Sequence, residues 1–145
     1  MVLGIDYGTK RIGLATGDEN LKVAFAKSVI NNNGLDLVLK SVVDFCLTEN
    51  VNVIVIGLPL NEPEHDENPI LGQVKIFTNE VAKLLPDVKI ELVDERFTSF
   101  QADELMLDIE EKLGKGKSLG RDAYAAQAIL QHYFDKTWGG GLKNN

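Results

Sequence analysis

The sequence predicts one α/β domain whose mixed sheet combines three antiparallel meander strands with two parallel strands and is flanked by helices. Two observations carry this prediction. Near the N-terminus, short apolar runs alternate with tight polar turns, which is typical of antiparallel strands joined in sequence order. Further along, apolar runs of strand length alternate with segments whose apolar residues recur at helical spacing, which is typical of parallel strands connected by helices. The length of 145 residues suits a single domain.

The N-terminal meander is predicted from three apolar segments separated by short turns. The turn at Tyr7–Lys10 separates the first two segments, and the polar turn at Gly17–Asn20 separates the second from the third. Three asparagines and a glycine at 31–34 then end the meander. The predicted strands cover residues 2–6, 12–16 and 23–30.

The rest of the chain alternates between predicted helices and strands. Apolar residues at helical spacing from Leu35 onward predict a helix that packs on the sheet. The continuous apolar run Val53–Ile56 predicts a strand covered on both faces, and we expect it at the centre of the sheet. The remaining strand is expected at Ile90–Val93. The predicted helices cover residues 35–49, 70–85, a segment that begins at Thr98 or Ser99, and 121–134.

The domain is expected to cover residues 1–137. The last segment, 138–145, contains three consecutive glycines and ends in polar residues, and it has no apolar periodicity that would hold it against the domain. We therefore expect 138–145 to be a flexible C-terminal tail.

The composition indicates an ordinary globular protein and gives a mixed signal about its partners. Hydrophobic residues make up 44% of the chain, and Asp6 interrupts the N-terminus before any apolar stretch could serve as a signal peptide or membrane span. A single cysteine cannot form a disulfide within the chain, so we expect a cytoplasmic protein without membrane contact. The formal net charge of −7 argues against a nucleic-acid partner, although positive residues cluster at Lys10–Arg11, at Arg96 and over 112–121.

Acidic residues occur where the predicted elements would gather them. Asp6 ends the first strand, and Asp94 and Glu95 end the last strand. Asp122 lies in the first turn of the last helix and continues its apolar stripe, which faces the sheet. If the first and last strands are neighbours, these carboxylates converge and require cations to offset their repulsion. Because oxygen ligands without cysteine or a suitable histidine favour hard cations, we expect Mg²⁺ or Mn²⁺.

Each of these acids, taken alone, also has a simpler interpretation. Asp6 precedes Gly8 by two positions and can be a turn residue. Asp122 can be an acid favoured by the helix dipole, and Glu95 can form a surface ion pair with Arg96. The prediction of a shared site therefore depends on the combination of the three acids.

Motifs in four segments of the chain, taken together, point to a known family. The motifs are Gly4–Ala15 (GIDYGTKRIGLA), Gly57–Asn61 (GLPLN), Asp94–Ser99 (DERFTS) and Asp122–Ala126 (DAYAA). In this order, and spread over nearly the whole chain, they resemble the YqgF family, also called RuvX, whose members are described as Holliday junction resolvases or pre-16S rRNA nucleases. The resemblance implies a ribonuclease H-like fold and metal-dependent cleavage of structured nucleic acid.

The resemblance also implies roles for individual residues. It selects Glu95 rather than Asp94, so that Asp6, Glu95 and Asp122 would be catalytic and would bind Mg²⁺ or Mn²⁺. A pair of ions would support in-line hydrolysis of a phosphodiester, with Asp6 shared between them. Contacts to nucleic acid are expected from Lys10, Arg11, Arg96, Thr98, Lys115 and Lys117.

The implied partners are nucleic acids with structure. They are precursor 16S rRNA, processed at its 5′ end, or branched DNA such as a Holliday junction, and ribosomal particles are a further expected partner. The protein is expected to be a monomer or a homodimer. Two segments depart from the family, since Ser118–Arg121 lengthen the spacing between the basic stretch at Lys115–Lys117 and Asp122, and residues 62–68 form an acidic loop where the family has a glycine-containing stretch. Such a loop would repel phosphate if it faced the substrate.

Two other functions stay open on the sequence alone. Asp6–Lys10 also resembles the first phosphate loop of actin-like ATPases and sugar kinases, which would make the protein a nucleotide phosphotransferase. The chain, however, has room for only one of the two domains that such enzymes close around a nucleotide. A non-catalytic, nucleic-acid-binding ribosome-maturation factor would suit the acidic charge but would leave the three acids without a role.

Overall fold

The computed structural model describes residues 1–58, 69–94, 99–114, 116 and 119–143. Within these ranges the chain forms a five-stranded mixed sheet flanked by four helices, which confirms the predicted α/β class. Each helix in that part of the chain is too short or too polar to cross a membrane. The strands are β1 (Val2–Tyr7), β2 (Arg11–Asp18), β3 (Val23–Asn31), β4 (Val53–Leu58) and β5 (Lys89–Asp94), and the helices are α1 (Leu35–Thr48), α2 (Pro69–Leu84), α3 (Ser99–Leu113) and α4 (Arg121–Lys143).

The strands lie in the order β3-β2-β1-β4-β5. The meander strands β1, β2 and β3 pair antiparallel, whereas β4 pairs parallel with both β1 and β5, as the sequence predicted. Two details of the prediction are wrong. The centre of the sheet is β1 rather than β4, and β4 separates β1 from β5, so the first and last strands are not neighbours. The meander extends the sheet on one side of β1 and the helical crossovers extend it on the other, an arrangement that no local sequence pattern encodes.

Alternation of side chains along β1 builds two separate cores. Leu3 and Ile5 are fully buried in the core that α1 and α2 cover, whereas Val2 belongs to the core that α4 covers. Helix α3 packs on α4 through a smaller cluster that includes Ala102 and Tyr124. The even-numbered residues of β1 therefore face α4, and Asp6 is one of them.

Glycines on β1 and β2 bring α4 unusually close to the sheet. A Cβ atom built on Gly4 would lie 2.8 Å from Cβ of Leu130, and one on Gly17 would lie 2.6 Å from the ring of Phe134. Contacts this short leave no room for any side chain, because real Cβ atoms require van der Waals separation from their neighbours. We call Gly4, Gly13 and Gly17 the glycine track, along which α4 lies on the two strands.

The last helix is longer than the sequence predicts. The helical pattern suggested an end at Phe134, whereas α4 continues to Lys143 and includes three consecutive glycines. Each glycine costs about 1 kcal/mol relative to alanine within a helix. The continuation is nevertheless reasonable, because adding residues to an established helix avoids the unfavourable nucleation step. The flexibility of 138–145 stays a prediction.

Cys46, the single cysteine, gives a test of the core between α1 and the sheet. Its side chain is 2% exposed, and burial raises the pKa of the thiol to about 11. The folded protein therefore keeps a proton that the unfolded chain loses at lower pH, so the unfolding free energy should fall as the pH rises from about 9 to about 11. The expected loss is about 1.4 kcal/mol per pH unit.

The measurement is urea unfolding of the wild type and of Cys46→Val at pH 8 and at pH 10.5. Valine is chosen because its side chain is similar in volume to that of cysteine. The variant should lose less stability than the wild type between the two pH values. Equal losses in the two proteins would contradict the assignment to Cys46.

Candidate active site

Asp6 lies near the carboxyl end of the central strand, on the face covered by α4. Its side chain is half-buried, and its main-chain partner in the neighbouring strand is Gly13 of β2. Directly paired residues of antiparallel strands have Cα atoms about 4.5–5.5 Å apart. The backbone at Gly13 is therefore a near neighbour of the Asp6 carboxylate.

Asp122, in the first turn of α4, also lies next to Gly13, which it approaches from the helix that covers this face of the sheet. A Cβ atom on Gly13 would lie only 1.8 Å from the Asp122 carbonyl oxygen and 3.0 Å from the Ala123 nitrogen. The start of α4 thus rests directly on Gly13, the residue that pairs with Asp6. Residues 116 positions apart in sequence are brought together because the helix begins where the strand ends, and the missing side chain of Gly13 permits the contact.

Arg11 completes this group with a positive charge. Its Nε donates to Oδ2 of Asp122 at 3.0 Å, forming an ion pair in which the Arg11 side chain is 58% exposed and that of Asp122 is 26% exposed. Because side chains on one face of a strand are two residues apart, Arg11 shares the face of Gly13 and meets the start of α4. The sequence predicted a phosphate contact for Arg11 and gave no indication of this pair.

The turn that carries Lys10 and Arg11 is fixed by Asn32, a residue whose role the sequence analysis missed. The side chain of Asn32 donates from Nδ2 to the Gly8 carbonyl at 2.8 Å, and its backbone nitrogen donates to the Lys10 carbonyl at 2.9 Å. Asn32 also bonds to the Tyr7 hydroxyl, although burial has the larger effect and raises the pKa of Tyr7. The run of three asparagines predicted a turn but could not indicate which of them would hold the β1–β2 turn.

Asp94, at the end of β5, lies on the other face of the sheet. Val93 belongs to the core under α4, so its neighbours Leu92 and Asp94 face the α2 side, where Leu92 lines a cavity with Leu58 and Val74. Asp94 is therefore not part of the group around Asp6. Glu95 lies outside the described residues, so the choice of Glu95 over Asp94 stays a prediction.

The other predicted site residues fall outside the described part of the chain. They are Glu95, Arg96, Thr98, Lys115, Lys117 and the acidic loop 62–68. Their assignments stay predictions. Arg121, which belongs to the predicted basic cluster, is described and pairs through Nε with Oδ1 of Asp103 at 2.8 Å, linking the start of α4 to α3.

The donor set at this site suits a hard divalent cation. Asp6 and Asp122 supply carboxylate oxygens, and the Arg11 guanidinium already places a cationic group against Asp122. Within the described ranges no group of three acidic, histidine or cysteine side chains is placed to hold a metal ion.

Another cavity, of about 460 Å³, lies between α3 and α4, further along α4 than Asp122. Its lining includes His132 together with Glu104, Asp108 and Asp135. An acidic lining repels phosphate, so this cavity is a poor candidate for a nucleic-acid site. His132 was not expected to be catalytic from the sequence, and it lies away from the group around Asp6.

Comparison with known proteins relates this arrangement to one family. The family model RuvX, described as Holliday junction resolvase, matches residues 1–136. A protein of Chlorobium phaeobacteroides with the provisional name pre-16S rRNA nuclease is 33% identical over 137 residues, which cover 94% of this chain and 92% of that protein. A protein of Phocaeicola vulgatus with the same name is 35% identical over 137 residues, covering 92% of this chain and 94% of its own.

The fold also resembles solved structures. Thermus thermophilus RuvC, in complex with a Holliday junction substrate, superimposes with a TM-score of 0.67 over 95% of both chains at 17% identity. At this identity the likeness concerns the fold alone. It confirms the ribonuclease H-like architecture that the sequence motifs implied.

Proposed function

This chain belongs to the RuvX family, and we propose from that premise that it is a metal-dependent nuclease that hydrolyses phosphodiester bonds in structured nucleic acid. The observation that supports the proposal is that the start of α4, which carries Asp122 and its Arg11 partner, rests on Gly13, the strand partner of Asp6. Carboxylates next to a phosphate-binding cation are the groups that phosphodiester hydrolysis requires. The other two functions, a nucleotide phosphotransferase and a non-catalytic maturation factor, are not favoured by the family match or by relatives named as nucleases.

Asp6 and Asp122 are the residues that would hold the metal, with Glu95 as the third ligand that the family motif implies. Bound Mg²⁺ or Mn²⁺ would lower the pKa of the attacking water and offset charge on the leaving oxygen. The protein's own contribution is to fix the two carboxylates, since Asp6 is held by a central strand and Asp122 by a helix packed on the glycine track. Groups held on rigid elements keep the geometry that the reaction needs.

Positive side chains beside the carboxylates would orient the substrate. Lys10 and Arg11 lie on the β1–β2 turn and at the start of β2, within the rim of the site that Asn32 fixes. We assign both to the phosphates that flank the scissile bond, because the guanidinium fork and the lysine ammonium are the usual phosphate ligands. Further contacts along the nucleic-acid strand are proposed for Arg96, Thr98, Lys115 and Lys117.

We propose precursor 16S rRNA as the substrate, cut at its 5′ end in a ribosomal particle. The relatives at 33–35% identity are named as pre-16S rRNA nucleases, whereas the likeness to RuvC at 17% identity concerns the fold. A Holliday junction is the second candidate, because the description of the matching family names it. A monomer would suit trimming of one RNA strand, and a homodimer would suit symmetric cutting of a junction. The cytoplasmic location stays a prediction.

A cleavage assay on both substrates tests the function. The purified chain is incubated with an end-labelled 5′ precursor of 16S rRNA and with a four-way DNA junction, each with Mg²⁺, with Mn²⁺ and with a chelator. We expect metal-dependent cleavage of the rRNA precursor and no cleavage of the processed rRNA or of linear duplex DNA, which serve as matched controls. Native mass spectrometry of the same sample gives the oligomeric state. Cleavage of the junction alone would select the second candidate, and no cleavage of either substrate would reject the nuclease assignment.

A further inference from the structure

The Arg11–Asp122 ion pair places a cation where the proposed metal ligand lies. We propose that Arg11 competes with the divalent cation for Asp122, so that metal binding displaces the guanidinium and frees it for the substrate phosphate. The inference rests on the proposed function and deepens it, because it makes Arg11 a regulator of metal affinity as well as a phosphate ligand.

The geometry of the site places a bound metal beside Arg11. The described structure gives Arg11 a single side-chain partner, the Oδ2 atom of Asp122, at 3.0 Å from Nε. Asp122 cannot move far from Arg11 or from Asp6, because the backbone of its helix rests on Gly13. A divalent cation that binds Asp6 and Asp122 together must therefore settle next to the guanidinium, and the like charges repel each other.

The ion pair between Arg11 and Asp122 is a weak one. The Arg11 side chain is 58% exposed, and only its Nε reaches the carboxylate, so the contact lacks the bidentate geometry of the strongest arginine pairs. Exposed pairs of this kind change an equilibrium constant by about five-fold at most. A pair of that strength is weak enough for a divalent cation to displace and strong enough to lower the measured metal affinity.

The displaced guanidinium would be free to bind a phosphate. A guanidinium has five N–H donors, and the contact with Asp122 uses one of them. The planar fork matches phosphate oxygens better than any other side chain does. Release by metal would thus coincide with the step at which a phosphate enters, and Arg11 would exchange one anion for another without leaving the site.

The chain offers two matched controls. Arg121 pairs with Asp103 through the same Nε atom at 2.8 Å, also at the start of α4, but with an acid of α3 that is outside the proposed site. Lys10 is the sequence neighbour of Arg11 on the β1–β2 turn, and the structure records no ion pair between it and Asp122 in the described residues. Arg121→Gln removes an equivalent ion pair elsewhere, and Lys10→Gln removes an equivalent charge without removing the Asp122 contact.

The experiment measures Mn²⁺ binding in the absence of nucleic acid, from the free-ion signal in electron paramagnetic resonance. We expect Arg11→Gln to bind Mn²⁺ about two- to five-fold more tightly than the wild type. Arg121→Gln should match the wild type, and Lys10→Gln should show a smaller increase than Arg11→Gln. Unchanged or weaker binding by Arg11→Gln would overturn the inference, since weaker binding would mean that Arg11 orients Asp122 for the metal. An equal increase in Lys10→Gln would overturn it as well, because general charge would then explain the effect.

A second readout follows from thermodynamic reciprocity. If metal breaks the ion pair, the pair stabilises the fold only without metal, so the difference in melting temperature between wild type and Arg11→Gln should shrink when Mn²⁺ saturates both proteins. A difference that stays the same would contradict competition. The failure of the proposed function itself would look different: Asp6→Asn and the wild type would then bind Mn²⁺ equally, whatever Arg11→Gln does.

Discussion

Replacement of Asp6 with asparagine should lower the rate of nucleic-acid cleavage by at least about a thousand-fold, which corresponds to about 4 kcal/mol of transition-state stabilisation. The amide has the shape of the carboxylate but lacks the charge that would hold a divalent cation between β1 and the start of α4. The fold should persist, because Asp6 is only half-buried and its main-chain pairing with Gly13 does not involve the side chain. The measurement is single-turnover cleavage with saturating Mg²⁺ or Mn²⁺.

Asp87→Asn is the matched control for this variant. Asp87 is exposed in the turn before β5, at the amino end of the parallel strands, whereas Asp6 is near their carboxyl end. Replacement of Asp87 by asparagine removes one negative charge, as Asp6→Asn does. We expect wild-type cleavage from Asp87→Asn and native circular dichroism spectra from both variants. If folded Asp6→Asn cleaved nucleic acid at the wild-type rate, Asp6 would not be a catalytic residue.

Replacement of Gly13 with alanine should be the most damaging small change to the fold. The added Cβ would lie 1.8 Å from the Asp122 carbonyl oxygen and 2.3 Å from its carbonyl carbon, so α4 would have to move off β2. Overpacking of a closely packed core costs about 1–3 kcal/mol, and we expect the upper end or more because both contacts are with backbone. The measurement is urea unfolding, with cleavage and Mn²⁺ binding measured on the fraction that stays folded.

Gly72→Ala provides the corresponding control. Gly72 lies within α2, and a Cβ atom there would meet nothing within 4 Å. The same substitution should therefore stabilise the protein by about 1 kcal/mol, through the better helix propensity of alanine. If Gly13→Ala were as stable as the wild type, the close packing of α4 on β2 would be incorrect. The placement of Asp122 near Asp6 depends on that packing and would be incorrect as well.

The periodicity of apolar residues was sufficient to predict the strands and the helices. It identified the alternating runs of the meander, the continuous run of β4 and the helical spacing of α1, because each of these patterns is local. The order of the strands could not be predicted in the same way, since it depends on which side of β1 each connection packs. The start of α4 meets Gly13, the strand partner of Asp6, although β1 does not lie beside β5, which was the condition stated for the convergence of the carboxylates.

The contact of α4 with Gly13 and the pairing of Arg11 with Asp122 could not be predicted from the sequence, because both join residues that are far apart along the chain. Gly13 lies in the first motif, but a glycine in a strand does not indicate which distant segment approaches it. The pairing of Arg11 with Asp122 joins residues 111 positions apart and could not be seen in either local pattern. The choice between Asp94 and Glu95 came from the family motif, and the alternation of β5 adds only that Asp94 lies on the face of the sheet opposite α4.

Helix α4 follows all five strands in the sequence, and this order has a consequence for the timing of activity during synthesis. The ribosome releases Asp6 before Asp122, and the segments that carry them come together only when α4 docks on the glycine track. A nascent or truncated polypeptide without this helix therefore lacks Asp122 and leaves one face of the sheet uncovered, so it could not assemble the site proposed above. On that proposal, newly made molecules would stay inactive until this helix docks.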